Sequence, residues 1–287
     1  MSDEIKIFGP QHLSFESIFA LSPPVVDEST LTFDQSALPL FDEEDRLIVL
    51  HRDAHFSGSF SAMLEYYQHE EAKGICEDIS VERIEELAQI EKELGKNLSS
   101  LLFSDSDHSR ITHAKMVSEH FSILASQDTP EGRFAAVILS EEPEDLEALA
   151  VLLHEKAELL IRLASSDFFA DPLFPGYGTI PRVAITILMH MKCEEAIPKL
   201  FPLIGQTDFL TEEVLLQFFL HLGEPAKLFG VQQLIARPIT LDNERAMLLL
   251  LKFLPDAELD RLFREQLQQV DSGRFHEYLL LGLDSRF

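Results

Sequence analysis

Apolar positions recur at helical spacing over most of the chain. Ile84, Leu87, Ile90 and Leu94 sit at steps of three and four within residues 81–102, and Ser80 stands where an N-cap is needed with acidic Glu82 in the first turn. The same style continues over 61–68, 111–125, 131–139 and 145–164, the last with Leu146, Leu149, Leu153, Leu160 and Leu163 on one apolar face. Helix follows helix with no convincing strand between, which predicts an all-α fold. The run Leu47 to Leu50 is apolar but too short to assign.

Residues 1–60 read differently. Pro10, Pro23, Pro24 and Pro39 interrupt every segment, while Phe8, Phe15, Phe19, Phe33 and Phe41 lie scattered between them. Prolines this close prevent long helices, and phenylalanines resist full disorder. The expectation is an irregular acidic N-terminal arm over 1–60 packed on or near the rest, then a helical region over 61–129 and a repeat region over 130–287.

The repeat is the strongest pattern. A shift of 31 residues superposes Val183 on Val214, Ile187 on Phe218, Leu188 on Phe219, Met191 on Leu222, Ile197 on Leu228, Leu200 on Val231, Leu203 on Leu234 and Ile204 on Ile235. A second shift of 31 keeps Leu249, Leu250, Phe253, Leu259 and Leu262 apolar but places Arg245, Glu265 and Gln266 at the other positions, so the third copy drifts. Each unit reads as helix, tight break, helix. The breaks are Lys192-Cys193-Glu194-Glu195, Gly223-Glu224-Pro225 and Pro255-Asp256-Ala257. Neither helix of such a pair covers its apolar face alone, so the pairs must stack.

Residues 182–204 resemble a HEAT repeat of the short, lyase-associated kind: Arg182, Leu188, Ala196, Ile197, Pro198 and Leu200 match its pattern. Residues 212–236 match more loosely, with Leu222-Gly223-Glu224-Pro225-Ala226 as the turn, and Pro202 departs by adding a proline one turn inside the second helix. The resemblance implies an α-solenoid of HEAT-like helical hairpins. Such solenoids mostly bind proteins, and the family brings no catalytic residues to transfer. It also raises a lyase-associated or chaperone-type helper as an alternative function.

Charge narrows the partners. Fifty acidic against 23 basic side chains give a formal net charge of −27. Residues 1–145 hold 30 acidic and 10 basic groups, net −20, so most of the excess precedes the repeats. That balance argues against a nucleic-acid grip and against adsorption to anionic membranes, and favours a basic or amphipathic protein segment as partner. At 46% hydrophobic and 25% charged the chain is of folded, soluble composition. Two cysteines, Cys76 and Cys193, fit a reducing compartment, and with no signal-like start and no apolar run of spanning length the expected location is cytoplasmic.

Chemistry is thinly signalled. His51, Asp53 and His55 form the most site-like cluster: His51 and His55 share a helix face at i, i+4, and all three share a strand face. Either geometry suits two-point metal ligation, with Glu65, His69 or Glu70 as a third ligand, so a metal-dependent enzyme or metal-binding protein is the alternative to a non-catalytic scaffold. The competing reading is a polar turn with Arg52 bridging local acids. His113 and His120 lie two turns apart, about 10 Å, too far to share an ion. His190 and His221 occupy equivalent repeat positions and are candidates for a binding face. The aromatic connection with Phe168, Phe169, Phe174 and Tyr177 reads either as an interface anchor or as an inward-folded plug. The acidic strings 42–45 and 141–145 suit steering of a basic partner or plain solvation. No phosphate loop, nucleophile elbow or Cys-x-x-Cys is present, and no cofactor is expected.

Overall fold

A computed structural model describes residues 15–19, 41–68, 79–140, 145–253, 257–270 and 273–284. The described residues hold seventeen α-helices and no strand. In chain order they are α1 (Phe15–Phe19), α2 (Glu43–His55), α3 (Phe60–Gln68), α4 (Val81–Leu94), α5 (Ser99–Leu102), α6 (Asp105–Ala125), α7 (Pro130–Leu139), α8 (Leu146–Leu152) and α9 (Ala157–Ala164). They continue with α10 (Asp167–Ala170), α11 (Ile180–His190), α12 (Ile197–Leu200), α13 (Phe209–Leu222), α14 (Glu224–Ile235), α15 (Leu241–Leu250), α16 (Ala257–Leu267) and α17 (Arg274–Asp284). None of them is long and apolar enough to cross a membrane.

Two compact units account for the chain: residues 1–144 with 167–180, and residues 145–166 with 181–287. The division does not fall at 60 or 129. Helix α7 packs along α6 and so belongs to the first unit, and the 167–180 connection returns to it.

In the first unit, α2 to α5 enclose a core of Ile48, Val49, Phe60, Met63, Ile84, Leu87, Leu98 and Leu102. Helix α2 corrects the expectation of an irregular arm over its own stretch. Asp42 caps it in a reciprocal capping box with Asp45, and Asp45 to Arg52 contribute six buried side chains. The arm's other residues, 1–14 and 20–40, lie outside the described residues, apart from α1, whose Phe15 packs edge-on against Phe121 and Phe134. The apolar run at Leu47 to Leu50 is the middle of α2.

Buried charge fastens α2 to its neighbours. Arg83 of α4 grips Asp45, 1% exposed, through two bonds of 2.6 Å. Arg46 reaches Asp107 of α6 at 2.5 Å. Arg52 is fully buried; it donates to Asp53, Glu91, Asn97 and Ser99, with its guanidinium 4.3 Å from the Phe60 ring centre. Opposite charges on α2, α4 and α6 thus fix where α2 sits; of the acidic string 42–45, Asp45 is buried in this network while Asp42, Glu43 and Glu44 are exposed.

The second unit runs through α8, α9 and α11 to α17; α13 packs on α14, α14 on α15, and α17 on both α15 and α16. Helix α12 packs against both α9 and α14. Two of the turns share one feature, though a 3-10 turn precedes α12 while α14 follows Gly223 directly. Lys192 and Gly223, 31 positions apart, both take positive φ, 52° and 65°, and the N–H groups there donate back into the helix just ended. Positive φ turns the chain sharply enough to send the next helix back. Pro202 acts as the sequence leads one to expect: α12 stops at Leu200 and a 3-10 turn covers Phe201–Leu203. Residues 145–164 are not one helix, because a 3-10 turn at His154–Lys156 separates α8 from α9.

Candidate functional site

His51 and His55 do meet. They lie one turn apart on α2, ring centres 4.8 Å from each other. The His51 ring is 3% exposed, and its Nε2 sits 3.0 Å from the Tyr67 hydroxyl of α3. His55 Nε2 lies 2.9 Å from the Pro172 carbonyl, so that nitrogen carries the proton and donates it. Tyr177 leans against both imidazoles at a 45° tilt, 5.8 Å from His51 and 4.3 Å from His55, held there by a run of left-handed residues, Gly176, Tyr177 and Gly178, with φ of 70°, 55° and 78°. Burial, and then the neighbouring His55, push the His51 pKa down to about 3. Burial also lowers His55, against the opposing pull of the Pro172 carbonyl and Asp171. Both rings are therefore neutral at neutral pH.

Asp53 does not join them. Its carboxylate takes the Arg52 Nε at 2.7 Å and the Ser99 hydroxyl at 2.5 Å, on the other side of α2. The helical register that brings i and i+4 together turns i+2 away. Of the suggested third ligands, Glu65 is exposed on α3, while His69 and Glu70 lie outside the described residues, as does Cys76. No group of three or more His, Cys, Asp or Glu able to hold a metal ion occurs among the described residues. His51 Nδ1 is buried without a hydrogen-bond partner.

The aromatic connection folds inward. Phe169 and Phe174 are 0% and 3% exposed, and Phe168 lies 4.9 and 4.0 Å from them, with His113 edge-on at 5.1 Å. Phe169 and Phe174 are thus packed inward as a plug, while Phe168 remains half-buried. Tyr177, half-buried, covers the histidines. His120 bonds its own helix at Met116 O, 2.7 Å away.

His190 and His221 are exposed, each in the last turn of the first helix of its pair. His190 helps to line a groove of about 910 Å³ in the second unit, walled by Glu147, Ala150, Val151 and His154 on one side and Met191, Cys193, Glu194 and Glu195 on the other. A second groove of about 590 Å³ adjoins the first: Glu194 lines both, and Ile197, Pro198, Glu224, Pro225, Leu228, Phe229 and Gln232 complete it. His221 does not line either groove. Val151 is 72% exposed and Leu228 54%, unusual values for branched apolar side chains flanking a concavity. Around them stand the exposed carboxylates Glu147, Glu194, Glu195 and Glu224, with Lys192 as the only Lys or Arg in the lining.

Sequence reasoning missed Val151, Leu228 and Glu194. For Leu228 a signal was in the repeat: Ile197 and Leu228 superpose under the 31-residue shift, the first buried and the second not. The thiol of Cys193 has its pKa held above the ordinary value by burial, which disfavours the thiolate. Comparison with protein-family models, with curated proteins and with solved structures finds no match to this chain.

Proposed function

We propose that the protein is a non-catalytic interaction scaffold, its second unit an α-solenoid of HEAT-like hairpins that recognises a basic or amphipathic protein segment. The observation that carries this reading is the pair of adjoining grooves, apolar inside at Val151, Met191, Leu228 and Phe229 and acidic at the rim at Glu147, Glu194, Glu195 and Glu224. Apolar stations supply affinity by losing contact with water, while rim carboxylates steer a cationic ligand and select against anionic ones. The recurrence of positive φ at residues 192 and 223, one 31-residue period apart, supports the solenoid.

The metal-dependent alternative has less support. It needs three converging ligands, and Asp53 is held by Arg52 and Ser99.

The test is fluorescence anisotropy of a labelled Lys-rich amphipathic peptide, with a Glu-rich peptide of the same apolar pattern as control. The reading expects saturable binding of the basic peptide alone, weakening as NaCl rises from 50 to 500 mM and lost in Leu228→Asp. Equal binding of both peptides, or none of either, would overturn it.

A further inference from the structure

The two grooves also say what shape of segment they take, granting that the reading above is right and that they bind a peptide at all. The walls are helices and helix ends: the lining residues belong to α8, α9, α11, α12, α14 and the 3-10 and other short turns joining them. Backbone N–H and C=O groups within helices are already paired, and no strand edge exists among the described residues to pair with an extended ligand. A segment lying in an apolar trough must then satisfy its own backbone, which an α-helix does.

Spacing follows from the packing. The first station, at Val151 and Met191, lies between the α8–α9 turn and the α11–α12 turn; the second, at Leu228 and Phe229, lies between α12 and α14. Since α12 touches both α9 and α14, the stations are one helix spacing apart, roughly 8–10 Å. At 1.5 Å per residue a helical ligand covers that distance in about five to seven residues, and of these spacings seven, two full turns, returns a side chain to the same face. Glu194 lies where the two grooves meet, and Glu147, Glu195 and Glu224 flank it.

We infer that the occupant is an amphipathic helix carrying two large apolar side chains seven residues apart, one seated at Val151 and Met191 and the other at Leu228 and Phe229, with Lys or Arg beside them facing Glu147, Glu194, Glu195 and Glu224. The four carboxylates set against one lysine commit the occupant to a cationic helix of another protein; a second copy of this chain, net −27, lacks the needed charge.

The chain contains no tryptophan, so a tryptophan on the ligand reports binding without background. Two capped Ala/Lys helical peptides are compared, one with Trp and Leu seven residues apart and one with five, which puts them on opposed faces. Titration into the full chain, followed by Trp emission, is expected to show a blue shift with the seven-spaced peptide and at least tenfold weaker binding with the five-spaced one. The seven-spaced peptide should also lose at least tenfold against Leu228→Asp and Val151→Asp, both exposed positions whose variants are checked by circular dichroism to be folded. Equal binding by both spacings, still abolished by Leu228→Asp, removes the helical seven-residue inference and leaves the scaffold reading. No binding by either peptide, or binding indifferent to both substitutions, removes both.

Discussion

Arg52→Ala tests whether buried charge positions α2. The guanidinium is fully buried and bonds Asp53, Glu91, Asn97 and Ser99, so truncation strands two carboxylates and two polar groups at once. Removing one partner of a buried ion pair costs about 3–5 kcal/mol. The Glu91 and Asp53 side chains keep 24% and 15% of their exposure, so water softens the loss and the lower end, about 3 kcal/mol, applies. For a unit of this size that is a fall in Tm of roughly 6–12 °C. Three of the four tyrosines, Tyr66, Tyr67 and Tyr177, lie in the first unit, and the chain has no tryptophan, so near-UV circular dichroism during urea unfolding follows that unit. Adding Glu91→Gln to Arg52→Ala should recover part of the loss by removing a stranded charge. A loss below about 1 kcal/mol, the range of exposed pairs, would refute the claim that the network holds α2 in place.

Further consequences concern other joints of the structure. His51 is neutral in the fold with a pKa near 3 against an ordinary 6.5, so the unfolded chain binds its proton first. Stability is therefore unaffected above pH 6.5 and falls as pH drops from 6.5 toward 3; by pH 5 the loss is about 2 kcal/mol from this group. His51→Phe should flatten that slope in urea melts between pH 5 and 7. Asn243 is buried with its Nδ2 2.9–3.0 Å from the carbonyls of Gln233, Leu234 and Ala236 while its Oδ1 accepts from Thr240 N–H, joining the end of α14 to the start of α15. Asn243→Asp sets a carboxylate against three carbonyls and should destabilise the second unit by at least about 2 kcal/mol in chemical denaturation. Gly178→Ala combines positive φ with a Cβ 2.5 Å from the Ala170 carbonyl oxygen, so thermal melts should show a loss of about 1–3 kcal/mol.

What the sequence could reveal followed from local periodicity and caps. Ser80 does accept from Arg83 N–H, and α7 starts and ends within a residue of its apolar pattern. Where the reading failed, a single backbone angle or a distant partner decided. The periodic stretch 81–102 breaks because Gly95 takes φ 61° and ends α4, a choice that apolar spacing does not encode. Helix α2 hid inside a stretch classed as irregular because its inward residues include Asp45, His51 and Arg52, which read as surface until Arg83, Tyr67 and Glu91 are known to face them. The i, i+4 pairing of His51 with His55 was legible from spacing alone, and the diversion of Asp53 to Ser99, 46 residues away, was not. The turns flanking the grooves were visible as aligned breaks; that Val151 stands exposed beside them depends on how α8 packs, which no local pattern gives.

The central claim is that the acidic rim of the second unit reads a cationic helix. The most direct measurement is a charge swap: affinity of the seven-spaced Lys peptide and its Glu counterpart for the wild-type chain and for Glu194→Lys/Glu195→Lys/Glu224→Lys. These three side chains are exposed, so the variant should fold as the parent does. The account predicts that the triple variant loses the Lys peptide at least tenfold and gains the Glu peptide. Unchanged preference for the Lys peptide after the swap would contradict it.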